Sequence, residues 1–235
     1  MPTRYLWKLM LGLVIVFIIG GCSTHTDGNS NANNDAAESE GPTISVRVGD
    51  NELLTKPLDR SLSGGYRNGI TIMELLKGSN IATFAEDNSS ILSVKNFSLG
   101  PEMIWELKMD GVIIGNADWN NTVGYDSQLV FTTKSKDHQK LQTVMLTLNG
   151  GSVEVDLHQS YIMLFKEDLT VRDLLKSRSM VQLAEDNKKV LSVNDYTPLS
   201  NEEWKLKVNG KQLLDDGMDM KLRPHDELEI LLTLR

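Results

Sequence analysis

Two acidic dipeptides occur in matching decapeptides, AEDNSSILSV at 85–94 and AEDNKKVLSV at 184–193. If the Glu-Asp pairs at 86–87 and 185–186 met, their carboxylates could hold a hard cation between them. Calcium takes six to eight oxygen ligands, however, and the sequence has no DxDxDG loop. Asparagine tolerates the left-handed backbone conformation and aspartate bonds to nearby backbone, so both residues favour turns. The pattern therefore predicts a polar turn in each copy, with a cation site as the alternative.

The sequence lacks the residue patterns that are typical of enzymes. HExxH, GxSxG, GxGxxG and P-loop motifs do not occur, and His158 and His225 have no histidine counterparts in the matching half. The acid-rich stretch DDGMD at 215–219 is more typical of a solvated loop than of a metal site. We expect no enzymatic activity, no metal and no cofactor, and an enzyme built from scattered carboxylates is the alternative.

Aromatic and cationic side chains in loop-like stretches are the candidates for binding a ligand. Tyr66 and Arg67 lie in the glycine-containing stretch SLSGGYRNG, and Trp119 and Tyr125 lie in further loop-like stretches of the same half. Binding residues occur disproportionately on loops. These four residues are therefore predicted to make exposed contacts with a ligand.

The elements that position these residues repeat along the chain. Sliding the sequence by 99 residues aligns 70–111 with 169–210 without a gap. Upstream, ISVRV at 44–48 corresponds to VMLTL at 144–148 after a slip of one residue. Internal repetition of this kind indicates duplicated structural units. The sequence predicts two tandem domains, at 43–136 and 141–235.

Each unit combines one short helix with several strands. TIMELLK and TVRDLLK begin with threonine and have an acid three residues later, which predicts a capping box at the start of a helix. WELKMDG and WKLKVNG alternate strictly and end in a dipeptide typical of tight hairpins. The alternation predicts that Trp105 and Trp204 are core anchors, with a ligand-stacking platform as the alternative. The predicted fold class is α+β, with a small mixed sheet and one short helix in each unit.

The N-terminus has the features of an export signal. Residues 1–21 contain two basic residues, an uncharged apolar run and small residues before Cys22, and the stretch IGGC resembles the lipobox of bacterial lipoproteins. That resemblance implies that Cys22 carries the lipid and becomes the mature N-terminus. Residues 22–42 are rich in Ser, Asn, Asp and Gly and are predicted to form a disordered tether.

Net charge argues against nucleic acid as a partner. The whole chain has a formal charge of −8, and removal of residues 1–21 with Arg4 and Lys8 leaves 22 basic against 32 acidic side chains, or −10. Nucleic-acid binding requires a basic surface. We therefore expect no nucleic-acid partner.

The units resemble the transcobalamin C-terminal-like family, which has a β-grasp-like architecture. The resemblance covers most of 169–235 and, less clearly, 70–133, and it depends on Trp204, Val208, Asn209, Gly210, Asp226 and Glu227. The first unit departs from the pattern at Asp110 and Ser127. The resemblance implies two tandem β-grasp-like domains. Vitamin carriers of this family use such a domain to cover cobalamin, together with a large helical domain that has no counterpart in this sequence.

These observations predict a lipoprotein anchored to the extracytoplasmic face of the cell membrane, acting as a non-enzymatic binding or assembly module. Its expected partners are the membrane, through the lipid on Cys22, and an envelope protein, a polymer or a small molecule. One alternative is a solute-binding component that serves a membrane transporter, for which a cobalamin-like ligand is one option. Another alternative is the carboxylate-based envelope enzyme.

Overall fold

The computed structural model describes residues 41–137, 141–214 and 217–235. The predicted signal segment, Cys22 and nearly all of the tether lie outside the described residues. The predicted end of the tether falls inside them, and there Gly41 and Pro42 are buried. The Pro42 carbonyl accepts a hydrogen bond from the Leu62 backbone N–H at 2.9 Å. The folded body therefore includes these two residues. No helix in the described parts of the chain is long and apolar enough to cross a membrane.

The first half, as described over residues 41–137, contains eight strands and two short helices, one helix more than the sequence predicts for each unit. Its elements are β1 (Thr43–Val48), β2 (Asn51–Glu52), α1 (Pro57–Arg60), α2 (Ile72–Gly78), β3 (Ala82–Phe84), β4 (Ile91–Val94), β5 (Phe97–Leu99), β6 (Met103–Met109), β7 (Val112–Ile114) and β8 (Gln128–Ser135), with 3-10 turns at Ser63–Gly65 and Asn116–Asp118.

The second half follows the same plan. Its elements are β9 (Thr143–Asn149), β10 (His158–Leu164), α3 (Val171–Lys176), β11 (Val181–Leu183), β12 (Val190–Val193), β13 (Glu202–Val208), β14 (Lys211–Gln212) and β15 (Glu227–Leu234), with a 3-10 turn at Gly217–Asp219.

The two halves pair their strands in the same order. The first half has the order β2-β1-β8-β6-β7, and the second has β10-β9-β15-β13-β14. In each half the first strand runs parallel to the last, β1 with β8 and β9 with β15, and the tryptophan-bearing strand pairs antiparallel with the last. Mixed sheets with few helices confirm the α+β class.

Strand register corrects one detail of the predicted repeat. Ile44 lies opposite Leu129, and Leu146 lies opposite Leu228. Equivalent residues of the first strands are thus 102 apart, and the predicted slip, which made them 100 apart, is wrong by two residues. Side chains alternate with a period of two along a strand, so a shift of two keeps the same faces inward. The hydrophobic pattern could not separate the two alignments.

Helices α2 and α3 begin with the predicted capping box. The Thr71 Oγ1 accepts a hydrogen bond from the Glu74 N–H at 3.3 Å, and the Glu74 carboxylate accepts one from the Thr71 N–H at 3.0 Å. Thr170 and Asp173 make the same pair of bonds at 3.1 and 3.3 Å. Each reciprocal pair satisfies two backbone N–H groups that would otherwise lack partners at a helix start. The apolar stripe of each helix is buried in the core of its own half: Ile72, Leu75 and Leu76, and Val171, Leu174 and Leu175.

One feature of the sheets departs from the prediction of a separate sheet in each unit. Strand β5 of the first half pairs in parallel with β10 of the second half, so β3, β4 and β5 extend the second half's sheet. The segment that corresponds to β5 in the second half, residues 196–198, forms only a bridge from Tyr196 to Val193. It has Pro198 where the first half has Leu99. Proline lacks the N–H that a strand donates to its neighbour, which accounts for the missing strand.

A carboxylate stabilises the start of the first sheet. Glu52 accepts hydrogen bonds from the Ser45 hydroxyl and from the backbone N–H groups of Val46 and Leu54, the latter two at 3.0 and 3.2 Å. Burial favours the neutral form of Glu52, but these bonds and one from Arg47 outweigh it and lower the pKa of the carboxyl group. The ionised carboxylate therefore joins β1 to the chain that follows β2.

Candidate functional site

The two AEDN segments form the turns that the sequence predicts. Asn88 and Asn187 have φ angles of +56° and +55°, in the left-handed region. Asp87 and Asp186 each accept a hydrogen bond at 2.9 Å from the backbone N–H two residues later. In the described ranges, no group of three or more His, Cys, Asp or Glu side chains is placed to hold a metal ion. The Asp87 and Asp186 carboxylates stabilise the turns.

Each turn is attached to the helix of its own half. The Lys77 ammonium at the end of α2 donates a hydrogen bond to the Asn88 side-chain carbonyl at 2.6 Å. In the second half, the Arg172 guanidinium of α3 donates to the Asn187 backbone carbonyl at 2.9 Å. These contacts fix the start of the strand that follows each turn, β4 or β12. That strand forms one wall of a groove.

There are two such grooves, one in each half. The first groove has a volume of about 550 Å³ and is lined by residues that include Ser89, Ser90, Leu92, Trp105, Leu107 and Trp119. The second groove has a volume of about 430 Å³ and is lined by residues that include Lys188, Lys189, Leu191, Trp204, Leu206 and Met218. Each member of the second set lies 99 residues after its counterpart in the first. The two grooves thus occupy equivalent positions in the repeated sequence.

Each groove has a tryptophan in its wall. Trp105 is 8% exposed and belongs to the first core, where its ring meets Phe131 edge-on at 6.4 Å. Trp204 is only partly buried and meets Tyr196 edge-on at 6.1 Å. The prediction of a core anchor is confirmed for Trp105, and Trp204 combines core packing with exposure to its groove.

The indole N–H groups of the groove tryptophans have no acceptor among the described residues. The Nε1 atoms of Trp105, Trp119 and Trp204 are buried and make no hydrogen bond with any described residue. Buried polar groups are normally satisfied. Within the described part of the chain, these rings are therefore held by packing contacts.

Exposed leucines complete the apolar part of each groove. Leu92 is 53% exposed and Leu191 is 50% exposed, although both stand within strands. They occupy the same place in the repeated segments ILSV and VLSV. The sequence shows the same leucine in both copies, and the structure shows that this position faces solvent. The repeated leucine was therefore a signal of the grooves that sequence reasoning missed.

The four predicted ligand-binding residues do not form one site. Tyr66 and Tyr125 meet edge-on with their ring centres 5.9 Å apart, and Arg67 pairs with Glu74 at 3.4 Å. Trp119 lines the first groove. Their role in binding stays a prediction.

The expectation that Trp119 is exposed is wrong, because only 7% of it is accessible. The Trp119 backbone carbonyl accepts a hydrogen bond from the Met73 N–H at 3.1 Å, which brings this segment against the start of α2. Its ring meets Phe84 edge-on at 5.3 Å. The contact with the helix is long-range in sequence, so a local pattern could not reveal it.

The grooves differ in charge. The first groove is lined by one acid and one base, Glu106 and Lys136. The second groove is lined by four basic and two acidic residues: Lys188, Lys189, Lys205, Arg235, Glu202 and Glu203. Its basic character contrasts with the acidic balance of the chain as a whole.

Both acids of the second groove already have partners. Glu202, 4% exposed, accepts hydrogen bonds from the Tyr196 hydroxyl at 2.8 Å and from the Leu199 N–H at 3.0 Å. The bond to Glu202 raises the pKa of Tyr196. Glu203 lies 3.1 Å from the Lys205 ammonium and 4.0 Å from the Arg235 guanidinium.

Comparison with known proteins adds little to this picture. No family model and no curated protein matches the chain. Among solved structures, the chain is similar to a crystal structure of a Ruminococcus gnavus protein that is provisionally assigned as metal-binding. The two share 17% identity, the match covers 40% of this chain and 98% of that chain, and the TM-score is 0.32. A similarity this weak supports no conclusion about fold or function.

Proposed function

We propose that this chain is a lipid-anchored, extracytoplasmic binding protein without enzymatic activity, in which two β-grasp-like repeats each bind a ligand in a groove. The observation that carries the proposal is the presence of the same groove at repeat-equivalent positions of both halves. The strand order and the helix that packs its apolar stripe into the core of each half support the β-grasp-like description. The IGGC stretch supports the lipid anchor.

The grooves suit a small molecule with a flat apolar part. Their volumes lie within the range of about 300–1,000 Å³ that is usual for small-molecule sites. An indole ring and an exposed leucine provide apolar contact, and surrounding polar residues provide orientation. A stable protein interface usually buries about 1,600 Å² in total, which is more surface than such a groove offers.

A solute-binding component of a membrane transporter is the second candidate. The same groove volumes support it, because a component of this kind also binds small molecules. The two candidates share the binding step, and a transporter partner would distinguish them.

Fluorine NMR of the full chain tests the binding step in each groove separately. The unprocessed chain, which keeps residues 1–21, has four tryptophans. Labelling it with 5-fluorotryptophan places reporters in the first groove at Trp105 and Trp119, in the second at Trp204, and at Trp7 outside the described residues. Titration with 2-naphthol in a non-ionic detergent should give saturable shifts of the fluorine signals from both grooves. A strictly linear shift that Trp7 shares would reflect partition into detergent and would overturn the proposal.

Matched surface variants provide the control. Leu92→Asp should remove the saturable shift of the first groove and leave that of the second, and Leu191→Asp should do the reverse. Both leucines are about half exposed, so neither change disturbs the core. Saturable shifts that survive both changes would place binding elsewhere.

A further inference from the structure

The second groove differs from the first in a way that indicates the chemistry of its ligand. We infer that the second groove selects small amphipathic anions, compounds with an apolar ring and a carboxylate, sulfonate or phosphate group. The first groove binds these anions and their neutral counterparts with equal affinity. This inference rests on the proposed function and extends it to a ligand class.

The charge difference comes from substitutions at equivalent positions of the repeat. Ser89 and Ser90 of the first groove are replaced by Lys188 and Lys189 in the second. Both lysines are exposed, and neither forms a salt bridge with a described residue. Their ammonium groups are thus available to an anion at the edge of the groove.

The remaining bases of the second groove are engaged with Glu203, as described above, and Glu202 is held by a phenol and a backbone N–H. Both acids therefore have partners within the protein, and the groove lining keeps two more basic than acidic side chains. Asp215 and Asp216, which follow Leu214 in the chain, lie outside the described residues. Among the described residues that line the groove, Lys188 and Lys189 are the two basic side chains without an ion-pair partner.

The interior of the groove requires that the anion also be apolar. Leu206 and Met218 line it together with the partly exposed ring of Trp204. A simple inorganic anion would gain nothing from these contacts, whereas an aromatic ring can stack on an indole and bury apolar surface. The lysines attract the charged end, and the tryptophan side of the groove holds the ring.

The test compares two probes that differ in charge, naphthalene-2-sulfonate and 2-naphthol, on the fluorotryptophan-labelled full chain. The sulfonate should bind about tenfold more tightly at the Trp204 reporter than at the Trp105 reporter, because two ammonium groups within a few ångströms of an anion each contribute a modest attraction in water. Added salt should reduce this preference. The neutral probe should show no such preference.

Two exchange variants use the chain's own repeat as the control. Lys188→Ser with Lys189→Ser should remove the sulfonate preference, so that the ratio of sulfonate affinity to 2-naphthol affinity in the second groove falls to that of the first. Ser89→Lys with Ser90→Lys should raise sulfonate affinity in the first groove by a similar factor. A preference that survives the first exchange would overturn the assignment to the lysines.

The outcomes separate this inference from the proposed function. If 2-naphthol binds in both grooves but the sulfonate shows no preference for the second, the inference is wrong and the binding function stands. If neither probe binds saturably in either groove, the proposed function itself is wrong. Displacement of the sulfonate by inorganic sulfate at matched ionic strength would show that the ring is not required and would also overturn the inference.

Discussion

Replacing Ser127 with aspartate should destabilise the first half, and adding Asp110→Asn should restore it. The Asp110 carboxylate lies at the β6–β7 hairpin and accepts hydrogen bonds from the Ser127 hydroxyl at 3.0 Å and the Gln128 N–H at 2.7 Å. In the second half, Asn209 occupies the position of Asp110, and its amide donates to the Asp226 carboxylate at 2.7 Å. Each half thus pairs one acid with one neutral partner at this position.

The expected cost follows from the short distance between the two side chains. The Ser127 Oγ now lies 3.0 Å from the Asp110 Oδ2, so aspartate at position 127 would place a second carboxylate beside the first. Ser127 is buried, so water screens this repulsion only in part. Two like charges about 4 Å apart repel by about 4 kcal/mol at an effective dielectric constant near 20. Rotation of the side chains and protonation of one acid relieve part of this, so we expect a loss of about 2–4 kcal/mol.

The double variant should recover most of that loss. With Asp110→Asn alone, the amide can still accept from Gln128 and donate to Ser127, so the single change should cost about 1 kcal/mol or less. The cycle should therefore give a coupling energy of about 2–4 kcal/mol between the two positions. Urea unfolding followed by tryptophan fluorescence measures each variant.

The second half provides the matched control for this cycle. Asn209→Asp should reproduce the penalty there, and Asp226→Ser should relieve it. Additive effects at 110 and 127, with no coupling beyond about 0.5 kcal/mol, would refute the reasoning. Such a result would mean that the contact between the side chains at 110 and 127 does not cause the loss of stability.

The remaining predictions concern the anchor, an ionised contact and the two cores. Cys22→Ser should release the protein from membranes, and retention after a high-salt wash would contradict a lipid anchor. Glu52→Gln should lower the free energy of unfolding by about 1–3 kcal/mol at neutral pH. Because folding lowers the pKa of Glu52, its contribution to stability is present above the pKa that Glu52 has in the unfolded chain and is lost as the pH falls through the folded pKa. A difference in stability between the two proteins that persists undiminished at acid pH would contradict a role for the ionised carboxylate. Leu75→Ala and Leu174→Ala should each cost roughly 2–5 kcal/mol in urea unfolding, since both side chains are almost fully buried, and losses below ~1 kcal/mol would contradict their core role.

Local features of the fold were predictable from the sequence. The capping boxes at Thr71 and Thr170 depend on residues three apart, and the hairpin turns after β6 and β13 depend on adjacent residues. Asp110 and Asn209, like the glycines that follow them, have positive φ angles, as tight hairpin turns of this kind require. Features of this kind are determined within one turn of chain, where sequence patterns are informative.

Long-range features were not predictable. The pairing of β5 with β10 joins segments about sixty residues apart, and nothing in either segment specifies the other as its partner. Burial of Trp119 likewise depends on a contact with the start of α2. The grooves combine walls from several separate segments, so they emerge only when the sheet and the turns are assembled. The charge difference between Ser89 and Lys188 was visible in the sequence, but its place in a groove was not.

The number of ligand molecules bound by each chain tests the central claim most directly. Equilibrium dialysis of the full chain against 2-naphthol, with the Leu92→Asp/Leu191→Asp double variant as the background, should give two molecules per chain. Each single variant should give one. A wild-type chain that binds no more 2-naphthol than the double variant would contradict the claim that the duplicated grooves are binding sites.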